Sequence, residues 1–486
     1  MGIMQNFGQW ARTAIAPYIN DALKVRGSVL SSYYDGDQRL PLKVSTGKDG
    51  NAINDNVIQN FTGLVVNRSV SRMLSGGVEW ELPEGSDKQK EYLDTVWALN
   101  KKPISLFQIA LNGATNGTAY TKIRPDELRD PYTGKLYPSL VATDPEIVRI
   151  KTDAQDMTEV EKYIIEYVSV EEKNGRKTEV VHREVMRHSD KTDYDMPDTQ
   201  GEDVEEPEMP DTWWIEEWEK EGSAPMELVN SYEFPYNFPP LIHCKNLPSL
   251  KSCYGRSDIE DIIGIQDKSN FVVSNTTKIV KFFANPTPVI TGMSASAVAE
   301  IDTAVGRMIV LAGTDAKAFM LETSSDLASS NNLAQSLRQS LFDIAREVDI
   351  TSMADKIGAL TNFGLRVMWA DAIDKNDTKR QLYGDMILEL NRRLLVLAGW
   401  EGEASRSGVL QWGNPLPVNI TEEMQADQIA QDNGWVDKET IAKRYKSRYG
   451  VEWETVQANI ATQKEADNAN NANIGATILR NFNQGQ

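Results

Sequence analysis

The sequence predicts an α+β protein in which a mixed first half is followed by long helices. Three observations support this prediction. Helical and strand-like patterns alternate over the first 245 residues, three long helical patterns follow residue 255, and about forty residues with strand patterns separate the first two helices. A chain of 486 residues should also divide into modules, because single hydrophobic cores stop growing near ~250 residues.

The composition is typical of a folded protein with a strongly acidic surface. The chain is 40% hydrophobic, contains 11 Trp and 16 Tyr, and has a mean hydropathy of -0.44 and a formal net charge of -20. This charge argues against a protein that grips nucleic acid over its whole surface, but it suits one along which a polyanion slides. The two cysteines, Cys244 and Cys253, are too few for a disulfide framework and favour a reduced, cytoplasmic setting. No secretion signal or membrane-spanning run is indicated.

The first half contains helix and strand signals in a clear order. Residues 56–76 carry apolar side chains at helical intervals and end at two glycines, which predicts a helix with a glycine C-cap. A second helix is predicted over 104–122, interrupted at "NGATNGTAY", and a strand pattern continues to about Ile150. The stretch "VEKYIIEYVSVEEKNGRKTEVVHREVMRH" predicts a hairpin that turns at Asn174-Gly175.

An acidic block at residues 190–222 interrupts this pattern. The segment "DKTDYDMPDTQGEDVEEPEMPDTWWIEEWEKEG" contains fourteen acidic side chains and two lysines. Such a charge run usually indicates a solvated, mobile excursion. The embedded Trp213, Trp214 and Trp218 complicate this interpretation, since they could anchor the segment to its own subunit or to a neighbouring one.

From Ser257 onward the pattern is that of long helices. Apolar residues recur at helical intervals for about 28 residues, which gives a rod of about 40 Å that ends before Pro286 and Pro288. Polar residues lie on nearly every side of this rod, which we interpret as several different neighbours around one helix. Strands are then predicted at "TPVITGM", "RMIVLAG" and "AKAFMLE", and further helices over about 325–350 and 365–398. A strand at "GVLQWG" and short helices after "NITEE" and "WVDKET" complete the pattern.

The residues that could support catalysis do not form a recognisable constellation. The sequence contains no GxxxxGK[ST] or GxGxxG loop, and three histidines, His182, His188 and His243, supply a metal site poorly. His243 and Cys244 are adjacent strand residues whose side chains point to opposite faces, so they cannot act as a nucleophile pair. The acidic run "DIED" at 258–261 is interpreted as the first turn of a helix, where carboxylates suit the macrodipole. We therefore expect no catalytic residues, no metal and no cofactor.

Three basic clusters are present, and each is most simply the solvated face of a helix. They are Lys278 with Lys281, Arg392 with Arg393, and "KRYKSRY" at 443–449. No DNA-reading motif accompanies any of them, so sequence-specific DNA binding is not expected.

Four segments, taken in order, resemble a known family. "NVIQNFTGLVVNRSVSRMLSGGVEWEL", "NGATNGTAYTKIRPDE" and "ATDPEIVRI" are each similar to a loose pattern of that family. The strongest segment, "FPPLIHCKNLPSLKSCYGRSDIEDIIGIQDKSNFVVSN", is similar to the pattern "iP.v.f.N.…G.Sdle.i..l.d.yn…s". In this order, over most of residues 30–465, the segments resemble the portal proteins of tailed double-stranded DNA phages, of siphovirus type.

The resemblance implies a ring of twelve copies around a tunnel through which the genome is packaged and later ejected. It implies a portal fold with a mixed wing, a helical stem, a small α/β clip and a helical crown. The implied boundaries are a wing at 1–254 with the acidic insertion 190–222, stem helices at 255–283 and 325–351, a clip at 284–324, a tunnel loop at 352–364, the start of a wing or crown helix at 365–375, a crown at 376–465 and a disordered tail at 466–486.

The resemblance also implies partners, a location and site residues. The partners are further copies of the chain, the terminase large subunit, a head-completion or adaptor protein, the major capsid and scaffolding proteins, and double-stranded DNA bound without sequence specificity, with no membrane. The location is a unique capsid vertex of the virion, and the host cytoplasm during assembly. Residues expected to face DNA are Met353, Lys356, Thr361, Asn362 and Phe363 in the tunnel loop and Lys268, Lys278 and Lys281 in the stem lumen. Residues expected to dock the motor or adaptor are Thr287, Ile290, Met293, Arg307, Asp315 and Lys317 in the clip.

Two alternatives remain open at the level of sequence. Another virion structural protein, from a tail or baseplate, would lack the order of helix, clip, helix, loop and helix found from 255 to 398. A nucleic-acid-processing enzyme is disfavoured, because no nucleotide, metal or nucleophile constellation is found.

Overall fold

Helices and sheets occur together in the structure, which confirms the α+β class. The computed structural model describes residues 22–46, 52–153, 155–173, 176–188, 212–250, 252–284, 288–291, 317–320, 327–351, 362–400, 408–415, 420–442 and 453–465. The chain divides into two compact units, Met1–Pro415 and Leu416–Gln486. The second unit contains helix α9 (Ile420–Asp432) and helical turns at 438–442 and 453–465.

Eight α-helices are described in the first unit. They are α1 (Ala22–Asp35), α2 (Phe61–Met73), α3 (Asp87–Leu99), α4 (Lys102–Asn116), α5 (Ile263–Ala284), α6 (Leu327–Ala345), α7 (Asn362–Met368) and α8 (Ala370–Leu397). At 1.5 Å per residue, α5 is about 33 Å long and α8 about 42 Å. Among the described helices, none is both long and apolar enough to cross a bilayer.

The strands form small antiparallel sheets. They are β1 (Ser45–Thr46), β2 (Ala52–Ile53), β3 (Val78–Glu81), β4 (Thr118–Arg129), β5 (Leu136–Thr143), β6 (Val148–Thr152), β7 (Val160–Lys173), β8 (Arg176–His188), β9 (Trp213–Glu221), β10 (Glu227–Phe234), β11 (Leu241–Lys245), β12 (Pro288–Thr291), β13 (Lys317–Met320) and β14 (Val409–Trp412). The largest sheet has the order β10-β9-β8-β7-β6, and a second has the order β11-β4-β5. Two-stranded sheets join β1 to β2, β3 to β14 and β12 to β13.

Two apolar cores lie on opposite sides of the β11-β4-β5 sheet. The larger core is formed by helices α1 to α4 and α8 with β3 and β4, and includes Val65, Trp97 and Leu390. In this core Trp97 Nε1 donates to Asn391 Oδ1 at 2.7 Å, so this buried indole is satisfied. The smaller core lies under the five-stranded sheet and includes Tyr163 and Ile215.

The hairpin predicted around Asn174-Gly175 is confirmed by the pairing of β7 with β8, whose last pair is Lys173 with Arg176. The two turn residues themselves lie outside the described residues. His182 and His188 lie on β8, as ordinary strand residues.

The interpretation of the acidic block as a solvated excursion is wrong for its last part. Residues Trp213–Glu221 form β9, which pairs with both β8 and β10. Trp213 is buried in its own subunit, with its ring centroid 6.3 Å from that of Tyr163. The high count of acidic residues hid the alternation of side chains between the two faces of the strand. Trp213 and Ile215 face the core, and Glu216 pairs with Arg187 on the other face. Residues 190–211 lie outside the described residues.

The polar residues of α5 have a different explanation from the one predicted. Gln266, Asn270 and Ser274 recur every four residues and are buried inside the chain. Asn270 Oδ1 accepts from the Gln59 N–H at 3.0 Å, and Ser274 Oγ accepts from the Val57 N–H at 2.9 Å. These polar side chains of α5 therefore bind the backbone that precedes α2, because buried peptide groups need hydrogen-bond partners.

The long helices were predicted in the right order, but their boundaries differ from the prediction in three places. The first helix begins at Ile263, six residues after Ser257, and a 3-10 turn at Glu260–Ile262 precedes it. The second long helix ends at Ala345, five residues early, because Arg346 adopts a left-handed conformation with φ 55°. The third is broken at Trp369 into α7 and α8. Between the first two helices, the strands predicted at "TPVITGM" and "AKAFMLE" are confirmed as β12 and β13. The strand predicted at "RMIVLAG" lies outside the described residues.

Candidate functional site

Two of the sequence motifs meet at a close backbone crossing. Gly117 ends α4 with φ 91°, a conformation that suits glycine. Its carbonyl accepts from the Asn246 N–H at 2.8 Å and lies only 2.1 Å from where a Cβ on Gly255 would be. The Gly255 N–H in turn donates to Thr118 Oγ1 at 3.0 Å. Both glycines are therefore required by the close approach of "NGTAY" and "YGRSD".

The residues that follow Gly255 cap the C-terminal end of α4. Ser257 Oγ donates to the Thr115 carbonyl at 2.6 Å, and the Asp258 N–H donates to the Ala114 carbonyl at 2.9 Å. Asn246 Nδ2 donates to Asp258 Oδ1 at 3.0 Å. The carbonyls at the C-terminal end of α4, which have no partner within the helix, are thus satisfied by the segment "YGRSD".

The sequence suggested that Asp258 lies in the acidic first turn of a helix, and the structure shows that it does not. The carboxylate is buried, with Lys379 Nζ at 2.6 Å from Oδ2 and Lys375 Nζ at 3.3 Å from Oδ1. The three side chains are 0%, 1% and 4% exposed, respectively, for Asp258, Lys379 and Lys375. A fully buried carboxylate requires such cations, because desolvation otherwise makes the charged form costly.

Two further charges extend this arrangement. Arg72 on α2 makes a two-pronged ion pair with Glu347, with Nη1 3.1 Å from Oε1, and both side chains are buried. Lys375 Nζ lies 4.0 Å from the same Glu347 oxygen. We call Arg72, Asp258, Glu347, Lys375 and Lys379 the charged joint. It connects α2, the chain entering α5, the chain leaving α6, and α8.

Within the charged joint, the neighbouring lysines keep Asp258 ionised. Burial acts to raise the pKa of Asp258, but Lys375, Lys379 and hydrogen bonds from Lys379 and Asn246 hold that pKa well below its usual range. Burial lowers the pKa of Lys379, and Asp258 partly offsets this effect. Lys379 Nζ also donates to Ser69 Oγ at 2.8 Å, and Lys375 Nζ to the Ala345 carbonyl at 2.9 Å. Each of the five charges has a partner of opposite sign, so the arrangement can hold four segments together.

His243 and Cys244 face different cores, as predicted for adjacent strand residues. Cys244 lies in the larger core, where burial raises the pKa of its thiol. His243 points to the smaller core, with Nδ1 2.7 Å from the hydroxyl oxygen of Tyr163. Burial, and then the charges of Lys245 and Arg393, lower the pKa of His243 to about 4. The imidazole is therefore neutral at physiological pH.

This buried histidine predicts a pH dependence of stability. Below pH ~6.5 the unfolded chain binds a proton at His243, whereas the folded chain binds it only near pH 4. The free energy of unfolding therefore decreases as the pH is lowered from ~6.5 to about 4. Between pH 7 and pH 5 we expect the free energy of unfolding of the wild type to fall by about 2 kcal/mol more than that of His243→Gln. Urea unfolding at both pH values measures this difference. Equal losses in the two proteins would contradict the prediction.

The three lysines predicted to line the stem lumen differ in their surroundings. Lys268, Lys278 and Lys281 all lie on α5 and are exposed. Lys268 and Lys278 lie about 80° apart around the helix axis, whereas Lys281 lies about 140° from Lys268. Lys281 Nζ instead pairs with Asp55 at 2.7 Å. Lys278 lies about 60° from Lys281 as well, so Lys281 differs from the other two in its pairing with Asp55 and not in the side of the helix that it occupies.

The other predicted site residues fall mainly beyond the described ranges. Met353, Lys356, Thr361, Thr287, Met293, Arg307 and Asp315 lie outside them. Asn362 and Phe363 begin α7, Ile290 lies on β12, and Lys317 is exposed on β13. Of the other basic clusters, Arg393 is buried and donates to the Pro239 carbonyl at 2.7 Å, so it has an internal role. The cluster at 443–449 lies outside the described residues.

Sequence reasoning missed four members of the charged joint, namely Arg72, Glu347, Lys375 and Lys379. Lys375 and Lys379 are four residues apart on α8, a spacing that places both on one helix face. Polar residues at this spacing within an otherwise buried helix were the available signal. Within the described part of the chain, no group of three or more His, Cys, Asp or Glu is placed to hold a metal ion.

Comparison with known proteins was made at the level of sequence and of structure. The sequence model of the family "Phage portal protein, SPP1 Gp6-like" matches residues 16–470. A search of curated proteins found no match. Among solved structures, a chain of the "Virion of native gene transfer agent (GTA) particle" matches with 12% identity and a TM-score of 0.42, covering 92% of this chain and 99% of that chain. The family match confirms the resemblance of the sequence motifs and extends over most of the chain, so this protein belongs to the phage portal protein family of the SPP1 Gp6-like type.

Proposed function

We propose that twelve copies of this chain form a closed ring at one capsid vertex, with a central tunnel through which double-stranded DNA enters and leaves. The observation that supports the ring is the exposed apolar side chains on α5 and α6. These helices pack side by side, yet Phe271 and Val280 on α5 and Leu333 and Ile344 on α6 are 45%, 46%, 51% and 50% exposed. Apolar side chains in this position on two long adjacent helices suit contacts with neighbouring copies in a ring.

The regions of the proposed ring follow the order of elements. Residues 1–254 form the wing, α5 and α6 the stem, and 284–324 the clip, whose described part is the pair β12 and β13. Residues 352–364 form the tunnel loop, and 376–465 the crown. In support of this order, the family match runs continuously from 16 to 470 and so includes every one of these regions.

The proposed partners follow from this arrangement. The clip docks the terminase motor during packaging and an adaptor or head-completion protein afterwards, while the wing contacts capsid and scaffolding proteins. DNA passes without sequence-specific contacts, because a net charge of -20 disfavours tight binding of phosphate. Exposed Lys268 and Lys278 are the candidates on α5 for weak contacts with passing DNA. The role is structural and not enzymatic.

The ring is tested by changing the exposed apolar side chains of the stem. Phe271→Glu and Leu333→Glu should each shift the purified protein from a ring near twelve copies towards monomer, because a carboxylate would be buried between subunits. Native mass spectrometry measures the mass, and negative-stain images show the axial hole. As a control, Leu250→Glu changes a side chain that is 92% exposed outside the stem and should leave the ring intact. A wild-type protein that stays monomeric and shows nuclease or ATPase activity would overturn the proposal.

A further inference from the structure

The chain between α6 and α8, residues 346–369, is held at its beginning by basic side chains. Arg72 pairs with Glu347, and Arg68 Nη1 donates to the Val348 carbonyl at 3.1 Å. Arg338 forms a two-pronged pair with Asp349, at 2.7 and 2.8 Å. Two of the three arginines come from α2, so α2 fixes the direction in which the chain leaves α6.

The same Arg72 also holds the other end of this connection. Its guanidinium carbon lies 4.8 Å from the ring centroid of Trp369, the residue between α7 and α8. A guanidinium can pair with a carboxylate through its edge and stack on an indole through its face. One buried side chain therefore contacts both ends of a 24-residue connection.

The position of Arg72 is itself fixed by the core. The neighbouring residues of α2, Val65, Val66, Val70 and Met73, are buried in the larger core, so the helix has little freedom to move. Through Lys375, which lies 4.0 Å from Glu347 and 3.3 Å from Asp258, the charged joint also reaches the chain entering α5. The charged joint therefore links the start of the connection to the chain that enters α5, so a movement of either would act on the same contacts.

We propose that Arg72 is a positioning residue that holds the two described ends of the connection, 346–351 and 362–369, against α2. The part of this inference that concerns DNA rests on the proposed function, in which 352–364 is the tunnel loop. The alternative role for Arg72 is stability alone. The two roles differ in what an apolar replacement of the ion pair would do.

The test variant is Arg72→Met combined with Glu347→Leu. Replacing a buried ion pair by apolar groups of similar volume is often neutral for stability, so the fold and the ring mass should be retained while the link is removed. Hydrogen exchange followed by mass spectrometry on the assembled ring should show rates about tenfold higher in 346–351 and 362–369. The matched control is Lys122→Met with Glu184→Leu, a partly buried pair between β4 and β8. The control should leave exchange in both segments unchanged.

A second variant covers the case in which the double variant does not fold. Trp369→Leu removes the stacking partner and leaves the Arg72 and Glu347 pair in place. Exchange should then rise in 362–369 but not in 346–351. Unchanged exchange in 362–369 in this variant, or in both segments of the folded double variant, would overturn the positioning role.

Packaging assays separate this inference from the proposed function. With faster exchange and an intact ring, we expect less packaged DNA to be retained per particle than in the wild type. Faster exchange with normal packaging would support the positioning role and would contradict the assignment of 352–364 to a tunnel loop.

Discussion

Asp258→Ala is expected to destabilise the protein by about 3–5 kcal/mol, since it leaves Lys375 and Lys379 buried without their carboxylate. The variant also removes the acceptor of Asn246 Nδ2. Urea unfolding at pH 7, followed by tryptophan fluorescence, measures the change in the free energy of unfolding. A loss below ~1 kcal/mol would mean that the two lysines find other partners or lose their protons at little cost.

The matched control is Asp261→Ala, three residues further along the same acidic run. Asp261 pairs with Arg256 at the surface, where both side chains are more than half exposed. Exposed pairs contribute little, so we expect a change within about 0.5 kcal/mol. The pH dependence provides a second check. The pKa of Asp258 in the folded protein is depressed, so its stabilising contribution is present above pH ~4 and is lost as the pH falls further. In acid, the free energies of unfolding of the wild type and of Asp258→Ala should therefore converge.

Gly255→Ala should destabilise the protein by about 3 kcal/mol or more, because the added Cβ meets backbone that cannot move aside. It would lie 2.1 Å from the Gly117 carbonyl oxygen and 2.9 Å from the Asn246 nitrogen. The same urea unfolding measurement applies. Soluble expression should fall as well, since a loss of this size is a large fraction of the stability of a domain.

Gly264→Ala is the control for this substitution. Gly264 lies in α5 with open space around its Cβ position, so alanine adds no contact and favours the helical backbone by up to ~1 kcal/mol. Equal effects of the two substitutions would show that the backbone crossing at Gly117 and Gly255 relaxes easily, which would contradict the steric argument.

Local patterns predicted the elements of this fold well, because helix and strand periods are carried by neighbouring residues. The β7 and β8 hairpin, the strands β12 and β13, and the order of long helices could all be predicted in this way. The strand β9 was missed because its glutamates dominate the composition, although its alternation of buried and outward side chains was present in the sequence.

The charged joint could not be predicted in the same way, since its members are distant in the sequence. Arg72 and Glu347 are 275 residues apart, and Lys379 is 121 residues from Asp258. A charged residue on a helix is usually solvated, and only the tertiary structure shows that these five are paired and buried. The same limit applies to α5, where Asn270 seemed to face solvent, DNA or a neighbour and in fact binds Gln59 and Gln38 of its own chain.

The pairing of β12 with β13 has a consequence for how this protein can be changed. Thr291 and Lys317 are cross-strand partners, so the chain leaves α5 and returns to α6 with its two strands only about 5 Å apart. Any insert whose ends meet at that spacing can be joined there without altering either helix. In the proposed ring these 25 residues belong to the clip, so replacing them between Thr291 and Lys317 is expected to change the docking partner while the two strands are kept.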